Sequence, residues 1–195
     1  MFVWVKSLYD WVLEKSGHPL AAWFLSGVSF IESSFFPVPP DVMLIPMCLG
    51  ERRKSFWFAT LCTVSSVLGG LFGYFIGVFL FESVGKFIIE FYGFHEAFAK
   101  VHGYFQEYGA WFVFLAGVTP IPYKVFTIGA GVFNMAILPF VLASVFGRGL
   151  RFYAVAALVF VMGPRVKSWI DRYFNWLTVV FFLLLVGCFY LLNYV

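Results

Sequence analysis

Apolar residues run along this chain in long stretches, without the alternation of a half-buried strand. Residues 56–81 carry no charged side chain over 26 positions, and residues 176–195 carry none over 20. Each stretch is long enough to cross about 30 Å of hydrocarbon as an α-helix. Residues 138–163 are equally long but contain Arg148 and Arg151. Two further apolar runs are broken. Residues 20–50 contain Glu32 and Pro37-Val38-Pro39-Pro40-Asp41, and residues 110–138 contain Pro120-Ile121-Pro122-Tyr123-Lys124. Proline ends a helix here, because it lacks the amide hydrogen and its ring collides with the preceding turn. The backbone groups it frees are tolerated at membrane depth only inside protein or beside a wet cavity. Both runs therefore predict re-entrant hairpins. The first breaks at Pro37, Pro39 and Pro40, and the second at Pro120 and Pro122.

Composition turns these runs into a membrane protein. The chain is 62% hydrophobic and 12% charged, with a mean hydropathy of +0.91. A soluble domain carries about 25% charged residues, and a core of this size could not hide so much apolar surface. A soluble enzyme, a disordered chain and a nucleic-acid binder are excluded on that ground. Residues 1–15 lack a basic leader and are interrupted by Lys6, Asp10, Glu14 and Lys15, so they read as an amphipathic surface segment, not a signal peptide. Cys48, Cys62 and Cys188 lie apart in apolar surroundings. No disulfide, metal site or cofactor is expected from them.

Basic residues set the orientation. With both broken runs re-entrant, one side of the membrane holds Lys6, Lys15, Arg52, Arg53, Lys54, Arg165, Lys167 and Arg172, and the other holds only Lys86 and Lys100. The positive-inside rule then makes the N-terminus cytoplasmic. Full crossings by both broken runs would put residues 52–54 outside and destroy the bias.

The two proline motifs superimpose at a shift of 83 residues, and the same shift brings together the runs beginning at Phe56 and Pro139. Residues 1–81 and 82–163 thus form two repeats, each an amphipathic helix, a re-entrant hairpin and a transmembrane helix, with 176–195 as an added transmembrane helix. The expected fold is an all-α polytopic membrane protein. The halves start on opposite sides, so the repeat is inverted, an arrangement that places transporter sites at the repeat interface near the midplane. Val84, Phe87, Phe91, Phe94, Phe98, Val101, Phe105 and Tyr108 recur at helical spacing. They predict one amphipathic helix, read as a surface helix packed on its own protein.

Five charges remain inside the membrane: Glu32, Asp41, Lys124, Arg148 and Arg151. Facing lipid, each would cost about 2.5–3.5 kcal/mol, and together they would rival a whole fold's stability. They are expected to face inward. Asp41 and Lys124 follow the two proline breaks at equivalent positions and are expected to meet where the hairpin tips meet. Arg148 and Arg151, three apart on one helix face, suit capture of a phosphate together with Lys124. The competing reading for the arginines is snorkelling to an interface. Glu32 and Asp41 are read as proton-coupling or gating acids. The competing readings are hydrogen bonding of Glu32 to freed backbone amides, and static ion pairs that only lock the hairpins. Gly69, Gly70, Gly73 and Gly77 are read as close helix packing. No nucleophile–base set is recognised, so no enzyme is expected.

The ordered set Glu32-x4-Pro37-x-Pro39-Pro40-Asp41, then Thr119 to Lys124 with Gly129-Ala130-Gly131, then Gly147-Arg148-x-x-Arg151-Phe152 resembles the DedA family. This is the family of the VTT, or SNARE-associated, domain, and the chain is most similar to its YqaA-like bacterial subgroup. The resemblance covers about residues 17–165. It implies a multi-pass protein of the bacterial inner membrane with two opposed re-entrant hairpins. It also implies movement of lipids between leaflets, undecaprenyl phosphate or phospholipids, in dependence on the proton-motive force. Its functional acids would fall on Glu32 and Asp41. Many members carry arginine at the positions of Lys124 and Val118, and lysine lacks the guanidinium fork.

Taken together, these readings predict a transporter of an anionic lipid, with lipids and protons as partners and homo-oligomerisation left open. A proton-coupled transporter of a soluble ion or osmolyte, or a non-transporting scaffold, stand as alternatives.

Overall fold

The structure, a computed structural model, describes residues 19–34, 39–93, 95–119 and 121–163. The N-terminal segment, Pro37, Pro120 and the C-terminal span 176–195 lie outside the described residues. Those residues form helices and turns and contain no strand. In order they are α1 (Pro19–Ser34), α2 (Asp41–Gly50), a 3-10 turn (Arg52–Lys54), α3 (Ser55–Leu80), a π-turn (Phe81–Gly85), α4 (Lys86–Tyr92), α5 (His95–Val118), α6 (Tyr123–Val132) and α7 (Ile137–Met162).

The breaks fall at the prolines. Pro40 precedes α2, and its carbonyl accepts from the amides of Met43 and Leu44 at 3.0 and 2.8 Å. Pro122, in an extended conformation, precedes α6. The ten residues of α2 and of α6 each rise only about 15 Å, half of what a crossing needs. By contrast α3 and α7 have 26 residues each, or about 39 Å.

Arg52–Gly85 and Ile137–Met162 are long and apolar enough to cross a membrane, with mean hydropathies of 2.0 and 1.6. Only 39% and 28% of their most apolar windows are buried. Most of their apolar surface therefore faces outward, including Phe75, Phe79, Leu138, Phe146 and Val161. A soluble core helix would bury that surface, whereas lipid accepts it.

The predicted single amphipathic helix over residues 84–108 is instead two. Gly93 takes a left-handed conformation (φ 67°) at the end of α4, and α5 starts at His95 and continues to Val118. Glycine pays no Cβ penalty there, which is why an otherwise periodic pattern stops at it.

Long helices α3 and α7 cross antiparallel. Arg52, before the first, donates to the carbonyl of Phe160 near the end of the second. Around this crossing, α1 packs on α3 and α5 on α7, while α6 packs on α3 and α2 on α7. Glycines carry the closest contacts. A Cβ at Gly69 would enter the carbonyl of Phe30, one at Gly77 that of Ile128, and one at Gly131 that of Tyr74. The packing reading of the glycine stripe therefore holds.

Two apolar clusters result. One gathers Leu25, Leu44, Met47, Phe58, Cys62, Phe152 and Val159, and the other gathers Tyr74, Val113, Tyr123, Met135 and Phe140. Along α3 and α7 the clusters lie toward opposite ends. What lies between them is polar.

Candidate functional site

Ser66 and Arg148 are each the twelfth residue of their 26-residue helices. They meet at the crossing, where Arg148 Nε donates to Ser66 Oγ. Arg148 is only 1% exposed, so it does not snorkel. Its Nη2 donates to the carboxylate of Glu32 and, at 2.8 Å, to Ser33 Oγ. Ser33 Oγ also lies 2.6 Å from Ser66 Oγ and donates to Glu32 at 3.2 Å. The guanidinium plane is flanked by the rings of Tyr123 at 4.7 Å and Phe152 at 5.1 Å. A buried guanidinium is tolerated only with such a set of acceptors, a counter-charge and π-faces.

One turn along α7, Arg151 pairs with Asp41, the first residue of α2. Its Nη1 also reaches the carbonyl of Thr119, beside the second proline break, at 3.5 Å. Each arginine thus touches both proline-broken segments. Arg148 holds Glu32 and Ser33 of the first and faces Tyr123 of the second, and Arg151 holds Asp41 of the first and Thr119 of the second.

The expectation that Asp41 would pair with Lys124 is corrected, since the ion-pair partner of Asp41 is Arg151. The reason lies in the packing of α2 on α7, which brings the start of α2 to the arginine face. Glu32 is held by Arg148. The two arginines do not form one shared fork in this structure, because a different carboxylate engages each. Lys124 is the second residue of α6 and half-buried, and Thr127 Oγ1 donates to its carbonyl at 3.0 Å. Pro39, Pro40 and Pro122 sit at the breaks as predicted.

Polar uncharged groups were the part missed from sequence. Ser29 donates to the Cys62 carbonyl at 2.8 Å, and Ser34 to that of Gly69 at 3.0 Å. With Ser33–Ser66 they zip α1 to α3. The signal was present in the small residues Cys62, Ser66, Gly69 and Gly73, which recur at helical spacing opposite Ser29 and Ser33. Tyr123 and Ser144 are also buried at the centre. Among the described residues no cluster of His, Cys, Asp or Glu could hold a metal ion.

The VTT domain model matches residues 38–161. An uncharacterized protein of Haemophilus influenzae is 43% identical over 162 residues, covering 83% of this chain and 84% of the relative. One of Histophilus somni, also uncharacterized, is 37% identical over the same shares. No solved structure matches. The matched span runs from the first proline break nearly to the end of α7 and so contains Asp41, Arg148 and Arg151. With a family model over more than half its length and a relative this similar, the chain belongs to the VTT-domain, or DedA, family of membrane proteins.

Proposed function

We propose that this protein is a non-enzymatic transporter that moves an anionic lipid, undecaprenyl phosphate or a phospholipid, between the leaflets of a bacterial inner membrane. The observation that carries the reading is the convergence of both proline-broken segments on two arginines near the middle of the crossed helices, each arginine held by a carboxylate. A carboxylate that competes with a substrate phosphate for a guanidinium can couple a proton to release. Protonation of Glu32 or Asp41 would free the arginine for the headgroup. Lys124 adds positive charge at the second break.

Exchange of the halves supports an inverted repeat. Helices α2 and α6 have equal lengths, as do α3 and α7, all at an offset of 82 residues. The packing pairs interchange under the same operation. The residue in contact with Arg148, Ser66, is then its own repeat partner, which puts the arginine beside the pseudo-two-fold axis. A cytoplasmic N-terminus remains the orientation that basic residues favour.

A lipid is favoured over a soluble solute by a groove of about 480 Å³ between α5 and α7, lined by Ala110, Trp111, Phe114, Leu138, Leu142 and Phe146 among other apolar residues. It offers a surface for hydrocarbon and no hydrogen-bonding group for a soluble ion. Purified protein in liposomes is expected to move labelled lipid phosphate across the bilayer, and Asp41→Asn or Arg148→Ala to stop it. Wild-type flipping by both variants would sink the mechanism, and uptake of a water-soluble solute without lipid movement would sink the substrate class.

A further inference from the structure

At the same centre two hydroxyls are buried without a hydrogen-bond partner, Tyr123 Oη and Ser144 Oγ. Tyr123 is 1% exposed and Ser144 fully enclosed. They are neighbours, close enough to influence each other as a hydrogen-bonding pair does, but outside the distance and angle of a formed hydrogen bond. Both are set against Arg148. Ser144 lies one turn before it on the same face of α7, and the Tyr123 ring stacks on its guanidinium. Gly70 makes the room for the phenol, since a Cβ there would come within 2.8 Å of Tyr123 Oη.

Buried hydroxyls are ordinarily partnered, and an exception needs a reason. Each of these can donate one O–H. Two neutral donors beside a guanidinium form a set complementary to a single acceptor with negative charge. The Glu32 carboxylate supplies that charge from α1, but neither hydroxyl donates to it.

We infer that Tyr123 and Ser144 are ligand groups of the Arg148 site, whose hydroxyls donate to a phosphate oxygen when Arg148 exchanges Glu32 for that phosphate. The inference rests on the lipid-transport reading for its physiological substrate, although the binding itself requires no transport. The shared chemistry is a phosphate oxygen, supplied by a lipid headgroup or by free phosphate.

Glu32→Gln removes the competing carboxylate. The full chain carrying it, purified in detergent, is titrated calorimetrically with inorganic phosphate and with a short-chain phosphatidic acid. At least one probe is expected to bind, and adding Tyr123→Phe with Ser144→Ala is expected to weaken binding at least tenfold. The phenylalanine keeps the stacking ring, so the loss reports the hydroxyls. Binding of the lipid alone assigns the site to a headgroup, and equal binding of both probes assigns it to phosphate as such. Unchanged affinity in the hydroxyl variants, or no phosphate binding at all, overturns the inference. Hydroxyl-dependent binding without lipid movement in liposomes would instead overturn the transport reading. If Glu32→Gln does not fold, the comparison is made on otherwise wild-type protein by the thermal shift that phosphatidic acid produces. A shift that the hydroxyl variants do not reduce overturns the inference.

Discussion

Neutralising Glu32 while Arg148 stays charged should destabilise the fold more than any exposed ion-pair mutation. Arg148 is 1% exposed and the Glu32 side chain 15%, so the pair is largely out of water. Removing one partner of such a pair leaves the other charge buried and costs about 3–5 kcal/mol. Glutamine keeps one acceptor oxygen at the same reach, and Ser33 and Ser66 still accept from the guanidinium. The expected cost of Glu32→Gln is therefore near the lower bound, about 3 kcal/mol. Arg148→Gln should cost a similar amount by stranding Glu32. The double variant buries no charge and should return to within about 1 kcal/mol of wild type. Unfolding in detergent micelles, followed through the seven tryptophans, measures all three. The same double variant should fail to move lipid, which separates a site from a lock. A Glu32→Gln cost below about 0.5 kcal/mol, the level of an exposed pair, or additive losses in the double variant, would refute the reasoning.

Asp41→Asn should cost less, about 1–2 kcal/mol in the same unfolding assay, because the Asp41 and Arg151 side chains are 19% and 23% exposed and solvent screens them. Gly77→Ala and Gly131→Ala should each lower stability by about 1–3 kcal/mol or more through overpacking, since backbone carbonyls of the opposite helix occupy the place of the new methyl. Gly103→Ala, with open space around it, should gain up to about 1 kcal/mol of helix propensity. In a chain lacking Cys188, Arg52→Cys and His95→Cys should label from opposite sides of the membrane, the native Cys48 and Cys62 being buried. Labelling from one side would break the topology.

Much of the scaffold was legible because it follows from local rules. Proline position fixed where the helices break, apolar length marked α3 and α7 to within a residue, and small residues at helical spacing marked the tight contacts. The misreadings share one cause. Gly93 splits the helix over residues 84–108 by adopting a conformation that a hydrophobic period does not encode. Asp41 was matched to Lys124 by sequence symmetry, but symmetry relates equivalent positions and does not bring them into contact.

By itself the sequence determined the solvent, the places where helices end and the five charges that cannot face lipid, because hydropathy, proline geometry and the cost of a charge in hydrocarbon are properties of residues and short segments. Which carboxylate meets which arginine, and which serines and tyrosine surround them, was decided only when α2 crossed onto α7 and α6 onto α3. An ion pair is set by side chains 110 or more residues apart, and only the packing of glycine against backbone brings them within reach.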